Sequence, residues 1–324
     1  MLSFLVRRIL QIIPTLFLIS LVIYALLALK PGDPIDELRF GNPGFTQADY
    51  ERLIKLYGLD KPWYIRYWYW LSRAVQGDFG PSRRYGMPAA EFIFRHRMPN
   101  TLLLSGLSLV VAFCIAIPAG VISAIKQHTV IDYSITFLNF LGVSIPIFWL
   151  GIMLIYVFAV RLQILPAGSL ETPGIPKTDF WAVLVDRLRH LILPVTALSA
   201  LQMASWTRFM RSSMLEVINL DYIRTARAKG VSERWVMYRH ALRNALLPII
   251  TLVALAIPSV FSGAVLTETV FNWPGMGRAI YDSIIANDFN VAMVALMFIS
   301  LLILVFNLLA DIAYAIADPR IRYD

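Results

Sequence analysis

Asp221-Tyr222-Ile223-Arg224-Thr225-Ala226-Arg227-Ala228-Lys229-Gly230 lies inside a hydrophilic segment, 206–245, between two uncharged apolar stretches. Asn219 or Asp221 is placed to cap a short helix over 222–229, and Gly230 to end it in the left-handed conformation. Ser232 is placed to cap the next helix, with Glu233 at its positive N-terminus. That helix carries Arg234, Arg239, His240 and Arg243 and runs on into an apolar stretch. The reading is a short helix held out from a membrane on two stiff stalks. Ala226 and Ala228 keep part of it slim enough to enter a groove. Arg227 and Lys229 are placed to pair with acidic residues there. Orientation charges alone would explain the basic content, but they do not require the helix–glycine–helix punctuation.

Working outward, the chain has 324 residues, 58% apolar and 15% charged, with the charges gathered in a few blocks. A span needs ~20 apolar residues. Six segments free of Lys, Arg, Asp and Glu meet or approach that: 9–29, 101–125, 133–160, 191–207, 245–267 and 291–310. The fourth is the shortest. The fold class is therefore an all-α polytopic membrane protein with six transmembrane helices. The first run follows Arg7 and Arg8 but is longer than a signal-peptide core and lacks a clear small-x-small cleavage site, so it reads as a retained helix. The net charge of +8 suits membrane orientation rather than nucleic acid. With the N-terminus inside, inner segments hold thirteen Lys and Arg against five in the short outer loops. Both termini are thus expected to be cytoplasmic, with segment 30–100 outside; its eleven basic residues count for little, because long loops cross largely regardless of charge.

Within 30–100, Pro31-Gly32-Asp33-Pro34 should end the first helix, and Thr46 and Gly58 should bound a second. Trp63, Tyr67 and Trp70 share one helical face; Tyr64, Trp68 and Leu71 share the adjacent one. Such a band fits a membrane interface or a surface for a soluble protein docking from outside. Gly77-Asp78-Phe79-Gly80-Pro81-Ser82 reads as a turn-rich loop. Pro14, Pro118 with Gly120, Gly142 with Pro146, and Pro258 with Gly263 interrupt the spans. They serve as packing kinks or gating hinges.

Other classes lack their signatures. No P-loop, H-E-x-x-H or G-x-S-x-G is present. A membrane-embedded enzyme thus has no nucleophile or metal constellation. No acidic residue sits mid-span, which disfavours an ion-coupled secondary carrier; Asp311 lies just past the last span. The lone Cys114 excludes an intramolecular disulfide framework. His96, His128, His190 and His240 read as scattered surface loop residues without ligand spacing.

Further motifs are Gly58-Leu59-Asp60-Lys61-Pro62, Leu165-Pro166-Ala167-Gly168 and Arg211-Ser212-Ser213-Met214-Leu215-Glu216-Val217. Leu247-Pro248, Glu268-Thr269-Val270-Phe271-Asn272-Trp273-Pro274-Gly275-Met276-Gly277-Arg278 and Asp318-Pro319-Arg320-Ile321-Arg322-Tyr323 follow. In this order, and with the 221–230 block, they resemble the permease subunits of dipeptide/oligopeptide ABC importers, specifically the partner with the long external loop. The general importer pattern places Glu-Ala-Ala before the glycine; here Arg224-Thr225-Ala226 stands there, which resembles the peptide-importer variant. The resemblance implies a type I importer permease fold in a bacterial or archaeal plasma (inner) membrane. Its parts would be an N-terminal helix 1–30, an external insertion 31–100, a core 101–317 with coupling loop 208–244, and a cytoplasmic tail 318–324. It implies a second homologous permease, two ABC ATPase subunits and an external substrate-binding protein as partners. It implies no cofactor in this chain, with ATP and Mg held by the ATPases. Asp221, Arg224, Thr225, Ala226, Arg227, Ala228, Lys229 and Gly230 would form the coupling site. Nickel and glutathione are the alternative cargoes.

Overall fold

The computed structural model describes residues 2–30, 44–176 and 178–317. The expected turn at 31–34, Lys177, and the closing motif 318–323 with Arg320 and Arg322 fall outside them. The elements are all helical: α1 (Leu2–Ala28), α2 (Gln47–Tyr57), α3 (Trp63–Ala74), α4 (Ala89–Ile125, with a π-helical turn at Phe92–Arg97), α5 (Val130–Ser144), α6 (Ile147–Arg161, π-helical from Ile155), α7 (Phe180–Ile218), α8 (Asp221–Ala228), α9 (233–270, π-helical at Val236–Ala241), α10 (Met276–Ile285) and α11 (Phe289–Ala317). Among the described residues three helical stretches are long and apolar enough to cross a membrane: Arg7–Ala28, Ala89–Ile125 and Phe289–Leu309. A fourth counts if α5 and α6, bent by 105° at their junction, form one span. The expected third span is thus broken rather than continuous. Proline restricts the residue before it to extended backbone, and Ile145 adopts φ −87°, ψ 122° before Pro146. The expected fourth and fifth spans are stretches of the longer helices α7 and α9.

The residues fall into two compact units. The first draws on Met1–Thr101 and Pro274–Val305. In it, Thr46 caps α2 by accepting from the Asp49 amide, while the Asp49 carboxylate accepts from Thr46. Gly58, at φ 63°, ends α2 as expected. On the aromatic helix α3, Tyr67 and Trp70 of the first face turn into the chain's own packing. Tyr67 is 1% exposed, packs edge-on against Phe17 and Tyr24 of α1, and shares a hydrogen bond of 2.8 Å with Ser20. Trp70 joins it against Tyr24. That part of the band belongs to the chain's own packing; Trp63, Tyr64, Trp68 and Tyr69 remain exposed. The 77–82 stretch is the expected loop, with Gly77 and Gly80 at positive φ.

The second unit draws on Leu102–Trp273 and Phe306–Ile321. Glycines let α7 lie close to its neighbours. A Cβ on Gly120 would stand 2.5 Å from the Cβ of Met210, and one on Gly142 would stand 3.1 Å from the Cβ of Ala204. At both interruptions the glycine makes room for close packing. Gly168 is tighter still: a Cβ there would lie 1.9 Å from the Phe271 carbonyl oxygen. Ser169 donates its amide to that oxygen, and His190 Nδ1 lies 2.7 Å from the Gly168 oxygen. His190 is therefore buried on α7, bonded also to Thr172, rather than a surface loop residue. His96 and His240 likewise lie on helices; His128 alone sits in a turn.

Candidate functional site

α7 does not stop where its apolar stretch ends. It continues to Ile218, and Asn219 closes it by donating its side-chain amide back to the Leu215 carbonyl. α8 follows at once. Its N-cap is Leu220, without a side-chain cap bond, so neither Asn219 nor Asp221 plays the expected capping part; Asp221 is the first helical residue, where its charge suits the helix dipole. Gly230 has φ 76° and donates its amide to the Arg227 carbonyl, which ends the helix as the sequence predicts. Ser232 stands at the N-cap of α9 but makes no side-chain cap bond.

The ten residues from Asp221 to Gly230, α8 and its C-terminal turn, divide into two faces. Ile223 and Ala226 turn inward and join Met210, Met214 and Val217 of α7, Val121 and Ala124 of α4, and Val236, Met237, Ala241 and Ala245 of α9 in one buried cluster. Ile223 is 0% exposed. The outer face presents Asp221, Tyr222, Arg224, Thr225, Arg227, Ala228, Lys229 and Gly230. Ala226 therefore seats the helix instead of slimming its exposed side; Ala228 keeps that place. Tyr222 is held by Asn244 of α9, whose Nδ2 donates to its hydroxyl at 2.7 Å. Ser213 of α7 donates to the Ala245 carbonyl, so the two stalks are bonded to each other.

Arg227 does not wait unpaired for a partner. Its Nη2 and Nε donate to the two oxygens of Glu233 at 2.8 and 3.1 Å, which closes the turn between α8 and α9. That hydrogen bond holds the Glu233 carboxyl below its ordinary value, against a small opposing effect of burial, and raises Arg227. Arg224 only brushes Asp221 at 3.4 Å.

Two features escape the sequence reading. Asp132, in the first turn of α5, is buried and accepts from Arg211 Nε and Nη2 at 2.8 Å each, from the His128 amide, and from Ser123. Arg211 thus fastens α7 to α5. The signal was an acid standing alone in a short stretch between two apolar runs. Beside α8, Trp235 and Tyr238 are exposed on α9, and with Arg234, Arg239 and Arg243 they line a groove of about 500 Å³. The Arg239 guanidinium lies 5.2 Å from the Trp235 ring centre. Aromatic and Arg residues are favoured interface anchors; their i, i+3 spacing amid arginines was the available signal.

Apolar helices long enough to span, with a seated helix between two long stalks, define a polytopic membrane protein. The family described as "Binding-protein-dependent transport system inner membrane component" matches residues 116–323, and its N-terminal counterpart matches 1–115. The chain belongs to that family. It is 46% identical to the oligopeptide transport system permease protein AppB of Bacillus subtilis over 324 residues, the full length of both. It is 38% identical to the di/tripeptide transport system permease protein DppB of Pseudomonas aeruginosa, covering 100% of this chain and 99% of that one. With the dipeptide permease DppB of Escherichia coli K12 the identity is 35%, at the same coverage. Among solved structures it resembles the inward-facing MetNI methionine ABC transporter, with a TM-score of 0.52 at 17% identity, over 67% of this chain and 93% of that one. At that identity the likeness speaks for fold alone.

Proposed function

We propose that this chain is one permease subunit of an ATP-driven importer of di- and oligopeptides. A second homologous permease, two ABC ATPases and an external binding protein complete the machine. The ATPases hold ATP and Mg, and the chain itself is non-catalytic. Six spans with cytoplasmic termini place α8 at the cytoplasmic surface of a bacterial or archaeal plasma (inner) membrane. Closure of the ATPase dimer on ATP pushes α8, and the stalks α7 and α9 carry the motion into the spans, alternating the pathway between inward-open and outward-open. Asp221, Arg224, Thr225, Arg227, Ala228, Lys229 and Gly230 face the ATPase; Ala226 couples from beneath by seating the helix. Full-length similarity to peptide permeases supports the cargo.

The observation that carries the coupling role is the division of α8 into a buried seat and an exposed polar face. The test is Arg224→Glu in the complete transporter reconstituted in liposomes. Arg224 is exposed and weakly paired, so assembly should survive. ATP-dependent uptake of labelled dipeptide should fall about tenfold, the equivalent of ~1.4 kcal/mol at one charged contact. Wild-type uptake by the assembled variant rejects the role of this face. Wild-type uptake of nickel or glutathione but of no peptide rejects the cargo.

A further inference from the structure

The first unit contains a pocket of about 530 Å³ that no part of the importer reading uses. Three guanidinium groups line it, from Arg66 and Arg73 of α3 and Arg83 of the following loop, against one carboxylate, Asp78. Arg73 takes that carboxylate, with Nη2 at 2.6 Å and Nε at 2.9 Å. Tyr24 lines the same pocket. Two donors in this wall, Nε of Arg66 and Nε1 of Trp70, are buried and make no hydrogen bond. Buried donors are almost always satisfied. A cationic wall with two open donors points to an oxyanion.

The position says where the oxyanion comes from. Tyr24 lies four residues before the end of the Arg7–Ala28 span. Phe289, Asn290 and Met293 are the opening turns of the Phe289–Leu309 span, whose positive helix end favours an anion. Both span ends that wall the pocket therefore sit at the depth of lipid headgroups. Asn290 is fixed there, donating to the Pro81 carbonyl at 2.8 Å, and Gly80 leaves it room, since a Cβ would stand 2.6 Å from its Nδ2. The rest of the wall is apolar and aromatic, including Phe79, Phe289 and Met293. A free phosphate would leave that surface bare. A phosphate carrying a glycerol backbone and the start of its chains would cover it. We propose that this pocket holds one anionic phospholipid by its headgroup phosphate, between Arg66, Arg83 and Trp70, and so ties the external helix α3 to the membrane surface.

The test is native mass spectrometry of the full chain with its partner subunits, exchanged from nanodiscs of phosphatidylcholine with and without phosphatidylglycerol. Wild type should retain one phosphatidylglycerol per chain. Arg66→Gln should lower retention about tenfold, as for loss of one charge-assisted contact. Trp70→Phe, which keeps an aromatic ring but loses the donor together with the five-membered half of the indole, should lower it by less. Should Arg66→Gln fail to assemble, Trp70→Phe decides. Undiminished retention in the assembled variants overturns the proposal. So does displacement of the lipid by equimolar inorganic phosphate, or a wild-type chain that keeps no phospholipid. The readout is lipid rather than transport, so these outcomes leave the importer reading untouched.

Discussion

Two arginine–carboxylate pairs of the second unit use the same chemistry in opposite surroundings. Arg211 and Asp132 join α7 to α5, and the Asp132 side chain is 3% exposed. Arg227 and Glu233 close the turn after α8, with side chains 38% and 61% exposed. The first carboxylate is buried with four donors around it. The second has one arginine and open solvent. Attraction between unit charges falls roughly in proportion to the surrounding dielectric. The first pair therefore fixes the base on which α8 stands. The second is weak enough that Arg227 can exchange Glu233 for a partner's carboxylate at little cost. Burial, not residue identity, separates a fastening from an exchangeable contact.

The largest test of that difference is Asp132→Ala. It strands Arg211, half-buried, together with the Ser123 hydroxyl and the His128 amide, and should cost about 4 kcal/mol. Thermal unfolding in detergent should show a clear fall, and a change below about 1 kcal/mol would erase the contrast with the exposed pair. Ile223→Ala comes next. It opens a cavity under α8 and should cost about 3 kcal/mol. Hydrogen exchange should rise over 221–228 while α5 stays protected; uniform loosening would mean that α8 has no local seat of its own. The smallest effect belongs to Glu233. Its carboxyl is held below the ordinary value, so its contribution is complete above the ordinary carboxylate range and is lost as pH falls through the lowered value. Wild type should exceed Glu233→Gln by less than about 1 kcal/mol at neutral pH, and the two should converge on acidification. A gap that persists in acid would contradict the sign.

The helical class, the cap at Thr46, the stops at Gly58 and Gly230 and the short helix after Leu220 were legible because each depends on a few neighbouring residues. What was not legible depends on distant partners. Ala226 and Ala228 are alike in sequence, and only the third element beneath them decides which is buried. Nothing near Asp132 announces Arg211, 79 residues away. Tyr67 looked like part of an aromatic belt because its partner, Ser20, is one small polar residue inside a largely apolar run. The faces of the spans are too uniformly apolar to mark a side for cargo. At Gly168, by contrast, the motif was visible and its reason was not, since the reason is the backbone of Phe271.

The Ser20–Tyr67 bond also bears on the order of assembly during synthesis. Ser20 already donates to the Phe17 carbonyl of its own helix at 2.7 Å. α1 can therefore leave the insertion machinery and meet lipid with that hydroxyl satisfied, before the ribosome has made residue 67. α3 then arrives at a finished surface, and its tyrosine adds a bond to an oxygen that was never stranded. The first helix is thus an early, self-sufficient template, and α3 is a later addition to it.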